Sequence, residues 1–300
     1  MIIRSSLVPS PMSDKPQTAC DAHFALPDIA VVTLSGRDAI PFAQAQFMSD
    51  VAALDDGQWH WSGWLTPKGR VIALFAVLRR DSESLYVLLH DADPASFVSS
   101  LQRFVFRSKV AIGVHGECVV SGALRAPGLA RGDRAHVDGD VIELDLGTDD
   151  RPRTLRLGPM TAPAPSDPAA HARWRALDMA FGLPRLPADQ ADTWTPQQLS
   201  LDRLRAFSVR KGCYPGQEIV ARTHFLGQVR RGLVALRAAE AAEAATVAGD
   251  VQQDGQVIGR VVCGSQDIRL AVLPLERAGT PLALAGVDVK TVALLDGLAR

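Results

Sequence analysis

Hydrophobic and polar positions recur along the chain with two different periodicities, which predict a mixture of helices and strands. Residues 38–54 carry apolar side chains at helical spacing and begin with Asp38, a residue type that caps helix N-termini. Asp-Pro pairs at 93–94 and 167–168 favour two further helix starts, because proline fits the first helical turn. We therefore expect three capped helices before residue 182.

Runs of β-branched and aromatic residues between short polar turns predict strands. Residues 71–79 and 85–89 flank a polar turn and predict a hairpin. Residues 161–166 are rich in proline and are the best candidate for a crossing between domains. After residue 230 short strands dominate and predict a small barrel or sandwich, while 238–245 predicts either a short helix or a loop. Other predicted strands lie at 110–114, 141–146, 154–157, 232–236, 257–262, 268–273 and 289–295.

Composition narrows the class of protein. The 300 residues are 47% hydrophobic and 22% charged with a net charge of −1, which excludes wholesale disorder and argues against a polyanion-wrapping protein. The longest apolar run, 71–78, is far shorter than the roughly 20 residues of a membrane-spanning helix. The N-terminus lacks the apolar stretch of a secretory signal. We expect a cytoplasmic protein, with residues 1–21 flexible.

Cysteine and histidine spacing argues against a metal site. Cys20, Cys118, Cys213 and Cys263 are scattered without a C-x-x-C motif, and the seven histidines form no H-E-x-x-H motif. Glycine patterns for dinucleotide or phosphate binding are also missing. We predict reduced thiols and no metal.

One segment, Lys211–Glu218, stands apart from this ordinary pattern. Two glycines and a proline predict a tight turn around Cys213, followed by a helix. A thiol near a helix N-terminus and close to Lys211 is in a place where both charges favour the thiolate. An inert cysteine in a packed turn is the alternative. Poor tolerance of alanine is expected at Gly212 and Gly216, because one or both should adopt a positive φ or a close backbone approach.

The region around this segment is locally basic. Between Arg203 and Arg231 seven arginine or lysine residues stand against the single acid Glu218, a net charge of +6. A solvated face is one interpretation. A pocket for an anionic ligand or an RNA backbone is the other.

Lys211–Glu218 resembles the K-G-C-Y-x-G-Q-E signature of the YgfZ family, folate-binding relatives of the glycine-cleavage T-protein, and all seven fixed positions are present. Weaker similarity extends over roughly residues 30 to 265. It comprises 34–39 with Phe42, Asp50-Val51, 67–70, 182–184, Gly249 and Gly259.

The resemblance implies an α+β fold, a three-domain ring around a central opening. A discontinuous folate-binding-type domain would comprise residues 22–92 and 167–229. A ferredoxin-like middle domain would comprise 93–166, and a C-terminal β-barrel would comprise 230–300.

The resemblance also implies a function: tetrahydrofolate binding, with a role in assembling or repairing iron–sulfur clusters of client enzymes and a link to tRNA modification. Cys213 would be the functional thiol, with Lys211 as a second catalytic residue. The folate and the client enzymes would be the partners, without a membrane and without direct nucleic-acid binding. The implied ligand-binding residues are Tyr214, Gly216, Gln217, Glu218, Arg222 and Trp64.

Some of these assignments have alternatives. Trp59, Trp61 and Trp64 suit either strand packing or a pterin-stacking wall. His224 follows the signature by six residues and could face Cys213.

The chain departs from the T-proteins at two positions that matter for catalysis. Where T-proteins carry an aspartate that works on the folate, this sequence has Ile72 or Ala73, and Ala180 replaces their folate-binding glutamate. Loss of a general acid–base group disfavours a tetrahydrofolate-dependent aminomethyl or one-carbon transferase. That transferase stays as one alternative, and an RNA- or partner-binding module without chemistry stays as another. Whether the chain is an enzyme is left open.

Overall fold

The structure, a computed structural model, describes residues 22–161, 163–227, 229–238 and 249–300. Within those ranges the α-helices are α1 (Ala39–Gln46), α2 (Pro94–Gln102), α3 (Pro168–Ala180) and α4 (Gln217–Leu226). The strands are β1 (Phe24–Ala25), β2 (Ile29–Ser35), β3 (Trp59–Leu65), β4 (Val71–Asp81), β5 (Ser84–His90), β6 (Ala111–Val114), β7 (Cys118–Ala123), β8 (His136–Asp138), β9 (Val141–Asp145), β10 (Thr154–Pro159), β11 (Arg231–Ala238), β12 (Asp250–Gln253), β13 (Gln256–Ser265), β14 (Ile268–Pro274), β15 (Leu282–Leu284) and β16 (Val287–Val292). None of the described helices combines the length and the apolar character needed to cross a bilayer.

Helix caps follow the sequence at two of the three predicted starts. Asp93 accepts a hydrogen bond from Ser96 N at 2.7 Å, and Asp167 caps α3 in the same way. Asp38 does not cap its own helix, because its carboxylate accepts instead from Lys109 N at 2.6 Å. The predicted helix over 38–54 is also too long: α1 stops at Gln46, where the next residue turns extended and pairs with β3.

The first layer is a five-stranded antiparallel sheet in the order β3-β4-β5-β2-β6. The predicted hairpin is confirmed, since β4 and β5 pair directly and close with Asp81 opposite Ser84. α1 and α2 bury their apolar residues against one face of this sheet, in a core that contains Phe47, Phe75 and Phe97. The opposite face joins the large core that links the other layers.

The second layer is a sheet in the order β1-β7-β10-β9-β8. Sheet membership crosses the domain boundary predicted at residue 92: α2 and β6 pack with β2 of the first layer, whereas β1 pairs with β7 of the second. The division into domains stays a prediction.

The third layer confirms the predicted C-terminal barrel. Strands β11-β14-β13-β12-β15-β16 close on themselves around a core of aliphatic side chains. The chain then returns to the first layer, where the indole N–H of Trp61 donates to Leu298 O at 2.8 Å. The segment 238–245, predicted as helix or loop, lies almost wholly outside the described residues.

A buried ion network lies where the layers and α3 meet. The guanidinium of Arg185 donates to Asp178 at 2.8 Å, to Asp91 at 2.6 Å, and to Asp28. Arg153 reaches the other oxygen of Asp178 at 2.6 Å. Burial raises the pKa of Asp28, but the charges of Arg185 and His171 outweigh it and lower that pKa to about 2. Each buried cation here therefore has carboxylate partners.

Candidate functional site

Lys211 anchors the signature loop to the end of α1. Its side chain is buried, and its ammonium donates to the carbonyls of Gln44 and of Phe47, the latter at 2.5 Å. Carbonyls at a helix C-terminus lack partners within the helix and attract a cation. The ammonium also lies 4.8 Å from the centre of the Tyr214 ring. Lys211 thus stabilises the position of the loop.

Hydrogen bonds within the loop complete the anchor. The Tyr214 hydroxyl donates to Ser208 O at 2.9 Å, and Ser208 N donates to Met48 O at 2.8 Å. The Gln217 amide donates to Lys211 O at 3.1 Å. Burial lowers the pKa of Lys211 to about 8, although the carboxylate of Asp50 raises it, and burial raises the pKa of Tyr214 to about 12.

The tight turn that connects β3 to β4 packs against the signature loop. Gly216 has φ +78°, and a Cβ built there would lie 2.6 Å from Thr66 O and 2.7 Å from Gly69 Cα. Gly69, in the 67–70 segment, has φ +68° and would meet Ile219 at 2.9 Å in the same way. The expected close approach is therefore confirmed at Gly216. Gly212 has nothing within 4 Å of an added Cβ and no positive φ, so of the two glycines Gly216 alone meets the expectation.

Cys213 is presented to solvent by this anchored loop. Among the three cysteines that the structure describes, Cys213 is exposed, Cys118 is half-buried and Cys263 is buried with its pKa raised to about 12. Cys20 lies outside the described residues. The ammonium of Lys211 is bound to the carbonyls of α1, which favours a positioning role over the direct activation that the sequence suggested.

α4 begins directly after the loop and carries the remaining signature residues. Glu218 and Arg222 are both exposed, and no ion pair joins them. His224, for which the sequence left open a position facing Cys213, is exposed and makes an edge contact with Phe225. The ligand-binding roles of Glu218 and Arg222 stay predictions.

Trp64 lies in the core of the first layer rather than on an open wall. Its ring is buried and makes edge contacts with Phe97 and Phe104, each with centroids 5.7 Å apart. Its indole N–H has no hydrogen-bond partner. Because these side chains enclose its ring, Trp64 contributes to strand packing. This alternative replaces the pterin-stacking wall.

A polar cluster beneath the loop was missed from the sequence. Ser49 Oγ lies 2.8 Å from His60 Nε2 and donates to Ser62 Oγ at 2.6 Å. Burial lowers the pKa of His60 to about 4, and the nearby Lys211 lowers it further while Asp50 raises it. The sequence feature that could have indicated this cluster is the alternation along β3, where His60 and Ser62 lie between tryptophans.

A cavity of about 590 Å³ opens where α3, the second layer and the barrel meet. We call it the junction cavity. Ala180, which replaces the T-protein glutamate, contributes to its apolar wall, whereas Ala73 is buried in the first layer. Its lining is Leu124, Asp150, Arg151, Pro152, Arg173, Ala176, Leu177, Ala180, Arg237, Gln266, Asp267, Ile268, Val292, Ala293 and Leu295.

The donor set of the junction cavity fits a folate. Apolar side chains suit the rings, Arg151 and Arg173 suit the carboxylates of the tail, and Asp150 and Gln266 offer acceptors to the N–H groups of a pterin. The wall at Ala180 supplies no carboxylate.

Comparisons with known proteins agree with the fold and with the resemblance to YgfZ proteins. No family model matches the chain. A tRNA-modifying protein YgfZ from Sodalis glossinidius is 27% identical over 250 residues, 75% of this chain and 73% of that protein. A protein of the same name from Klebsiella pneumoniae is 29% identical over 273 residues, 79% of this chain and 83% of that protein.

The fold has a solved counterpart. The glycine cleavage system aminomethyltransferase T from Bartonella henselae superposes with a TM-score of 0.72, over 94% of this chain and 88% of that one, at 14% sequence identity. The predicted α+β class and the resemblance to the YgfZ family and the T-protein fold are confirmed.

Proposed function

We propose that this chain, similar in sequence to YgfZ proteins and built on the fold of the aminomethyltransferase T, binds a reduced folate and supports iron–sulfur clusters in client enzymes. Cys213 is the functional thiol. The observation that carries the proposal is the exposure of this thiol on a loop that Lys211 and Gly216 hold in place. Because the relatives are named tRNA-modifying proteins, we place tRNA-modifying enzymes among the clients.

The residues of the loop have separable roles in this proposal. In this proposal Cys213 ligates iron or takes part in thiol exchange, two reactions that are open to an exposed cysteine. Lys211 and Tyr214 position it through contacts with α1 and Ser208. The polar cluster of Ser49, His60 and Ser62 lies near Lys211, and its histidine is neutral at pH 7.

The folate is assigned to the junction cavity. When bound, a reduced folate supplies a carrier for one-carbon units. Arg151 and Arg173 would hold its tail carboxylates, and Leu177 and Ile268 would contact its rings. The one-carbon transferase alternative gains no support here, since Ala73 is buried and Ala180 has no ionisable group.

Complementation of a deletion strain tests the thiol role. We expect wild type and Cys118→Ser to restore the activity of iron–sulfur enzymes and the level of modified tRNA, and Cys213→Ser to restore neither. Cys118 is the matched control because it is half-buried and belongs to the second layer. Full restoration by Cys213→Ser would remove the thiol from the proposal.

Calorimetric titration with tetrahydrofolate tests the ligand. We expect saturable binding by wild type and by Cys213→Ser. The double variant Arg151→Gln/Arg173→Gln should bind about tenfold more weakly, which corresponds to about 1.4 kcal/mol. Arg260→Gln, an exposed arginine on the barrel, should bind as wild type does. Equal binding by the double variant would move the folate elsewhere.

A further inference from the structure

We propose that α4 and the residues around its C-terminal end form a docking surface for the client enzyme, which presents apolar side chains framed by carboxylates. This inference rests on the proposed function and names the chemistry of its partner. We call the surface the α4 surface. It comprises Ile219, Arg222, Phe225, Leu226, Val229, Arg230, Arg231 and Leu275.

Apolar exposure is the first observation. Phe225 is 66% exposed and Leu226 is 84% exposed, and Ile219, Val229 and Leu275 are exposed as well. Val220 is the only residue of α4 that is fully buried. A helix that gains so little from core packing has no structural need for apolar side chains on its free face. Exposed apolar patches mark interaction sites, and Val229 and Leu275 line one cavity here.

The surface is concave as well as apolar. A cavity of about 690 Å³ lies beside it, lined by Val229, Arg230, Pro274, Leu275 and Glu276. This cavity joins the region after α4 to the end of β14 on the barrel. A side chain of a partner could therefore insert between the two parts, which is how anchor residues bind at protein interfaces.

Charge determines what kind of partner fits. Arg222, Arg230 and Arg231 are exposed, and no carboxylate of the described residues pairs with them within 4 Å. Arginines a short way off do pair when an acid is available: Arg203 binds Asp296 at 2.8 Å, and Arg237 binds Asp267 at 2.7 Å.

The charges nearest the surface sum to a positive field. On the surface and in the cavity beside it, Arg222, Arg230 and Arg231 stand against Glu276, and Glu218 lies in the first turn of α4. Three exposed arginines against two acids leave the surface electropositive, so the complementary partner carries carboxylates.

A protein fits this surface better than RNA does. Four of its five exposed apolar side chains are aliphatic, and Phe225 is the single aromatic ring. Single-stranded RNA is held by bases stacked on aromatic rings, which aliphatic side chains do not provide. An apolar centre with arginines at its rim is instead the composition of a protein interface.

The location ties the surface to the thiol. α4 has ten residues and is therefore about 15 Å long, and it begins four residues after Cys213. A client bound along α4 consequently lies next to the exposed thiol. Docking and chemistry would then be supplied by consecutive parts of one segment.

The test uses the full-length protein and a purified iron–sulfur tRNA-modifying enzyme from the same cell as the probe. Phe225→Gln/Leu226→Gln replaces two exposed apolar residues by good helix formers, so the fold should be kept. The matched control, Leu129→Gln/Val257→Gln, removes side chains that are 67% and 58% exposed on other parts of the molecule. Arg222→Glu and Arg231→Glu test the charge, and Cys213→Ser is measured alongside.

We expect wild type, the matched control and Cys213→Ser to bind the probe equally. The apolar double variant should bind about tenfold or more weakly, and the charge variants should bind weakly and lose the salt dependence that wild type shows. The apolar double variant, the matched control, Cys213→Ser and Arg231→Glu should keep tetrahydrofolate binding. No binding by wild type, equal binding by the apolar double variant, or competition by RNA in place of the enzyme would overturn the inference.

The two proposals fail in distinguishable ways. If Cys213→Ser supports iron–sulfur enzymes as well as wild type does, the thiol role is wrong, but weakened binding by the apolar double variant still upholds the docking surface. If the apolar double variant binds normally while Cys213→Ser is inactive, the docking surface is wrong and the proposed function stands.

Discussion

The ion network around Arg185 and the signature loop around Lys211 both place a cation below the surface, but they satisfy it differently. Arg185 has three carboxylates within reach, and these keep it charged. Lys211 donates to neutral carbonyls, and burial lowers its pKa to about 8 although the carboxylate of Asp50 raises it. The first arrangement is a structural joint between layers. The second positions a loop and leaves its thiol exposed.

The two regions differ in which groups they leave available to a ligand. In the network each carboxylate is paired with at least one guanidinium. At the loop the anchoring groups point inward, while Cys213, Glu218 and Arg222 face solvent without partners in the described structure. Variants in each region test this contrast.

The largest effect is expected from Arg185→Met. Removing one guanidinium leaves Asp28, Asp91 and Asp178 short of a partner, which should lower the free energy of unfolding by about 3–5 kcal/mol. Urea denaturation measures this. Arg237→Met is the control, because its exposed pair with Asp267 should contribute about 1 kcal/mol or less. Similar losses for both variants would contradict a structural role confined to the network.

A smaller effect is expected from Gly216→Ala. The positive φ costs about 1–2 kcal/mol, and the contact of the new Cβ with Thr66 O at 2.6 Å adds to it. Gly212→Ala, with open space around its Cβ, is the matched control and should change stability by about 0.5 kcal/mol or less. Thermal unfolding of both variants decides the point. Equal losses would show that the close approach of the two turns is unimportant.

Lys211→Met should destabilise by a similar or slightly smaller amount. Methionine fills the space, but the carbonyls of Gln44 and Phe47 lose their donor, at a cost of about 1–3 kcal/mol. Cys213 should at the same time react faster or slower with a thiol reagent, because the loop is no longer anchored. Unchanged stability together with unchanged thiol reactivity would argue against a positioning role.

The pH dependence of stability should reveal the buried ammonium. The folded pKa of Lys211 is lowered to about 8 from an ordinary value of 10.5, so the unfolded chain binds more protons between these values. The free energy of unfolding should therefore rise as pH increases from about 8 to 10.5, and Lys211→Met should lack that part of the rise. Denaturation curves at several pH values check this, and parallel curves for both proteins would contradict it.

The smallest effect on stability is expected from Cys213→Ser. The side chain is exposed and makes no packing contact that anchors the loop, so the change should be about 0.5 kcal/mol or less. Urea denaturation of this variant, run beside Arg185→Met, gives the two ends of the comparison. A large loss would make Cys213 a structural residue.

Local patterns predicted much of the fold. The caps at Asp93 and Asp167 and the hairpin of β4 and β5 depend on residues a few positions apart, and they are confirmed. The predicted helix over 38–54 is wrong in extent, because Phe47 leaves the helix to pair with Trp64. Pairing with a distant strand overrode the local periodicity there.

The candidate site was predictable only in part. The signature loop and the positive φ of Gly216 follow from residue types within one short segment. Strand packing by Trp64 was one of two alternatives that the sequence left open, and its burial decides between them. The cluster of Ser49, His60 and Ser62 was not predicted, because periodicity says which face a residue occupies but not what covers that face.

The sequence by itself determined the strand-rich C-terminal part, the helix starts and the loop that carries Cys213, since each depends on conformational preferences of neighbouring residues. Only the tertiary structure decided what Lys211 binds, because the carbonyl of Phe47 lies 164 positions away along the chain. The junction cavity and the α4 surface were likewise decided by packing. Both arise from where folded layers meet or leave a face uncovered, and burial of apolar groups is a property of the assembled molecule rather than of any segment.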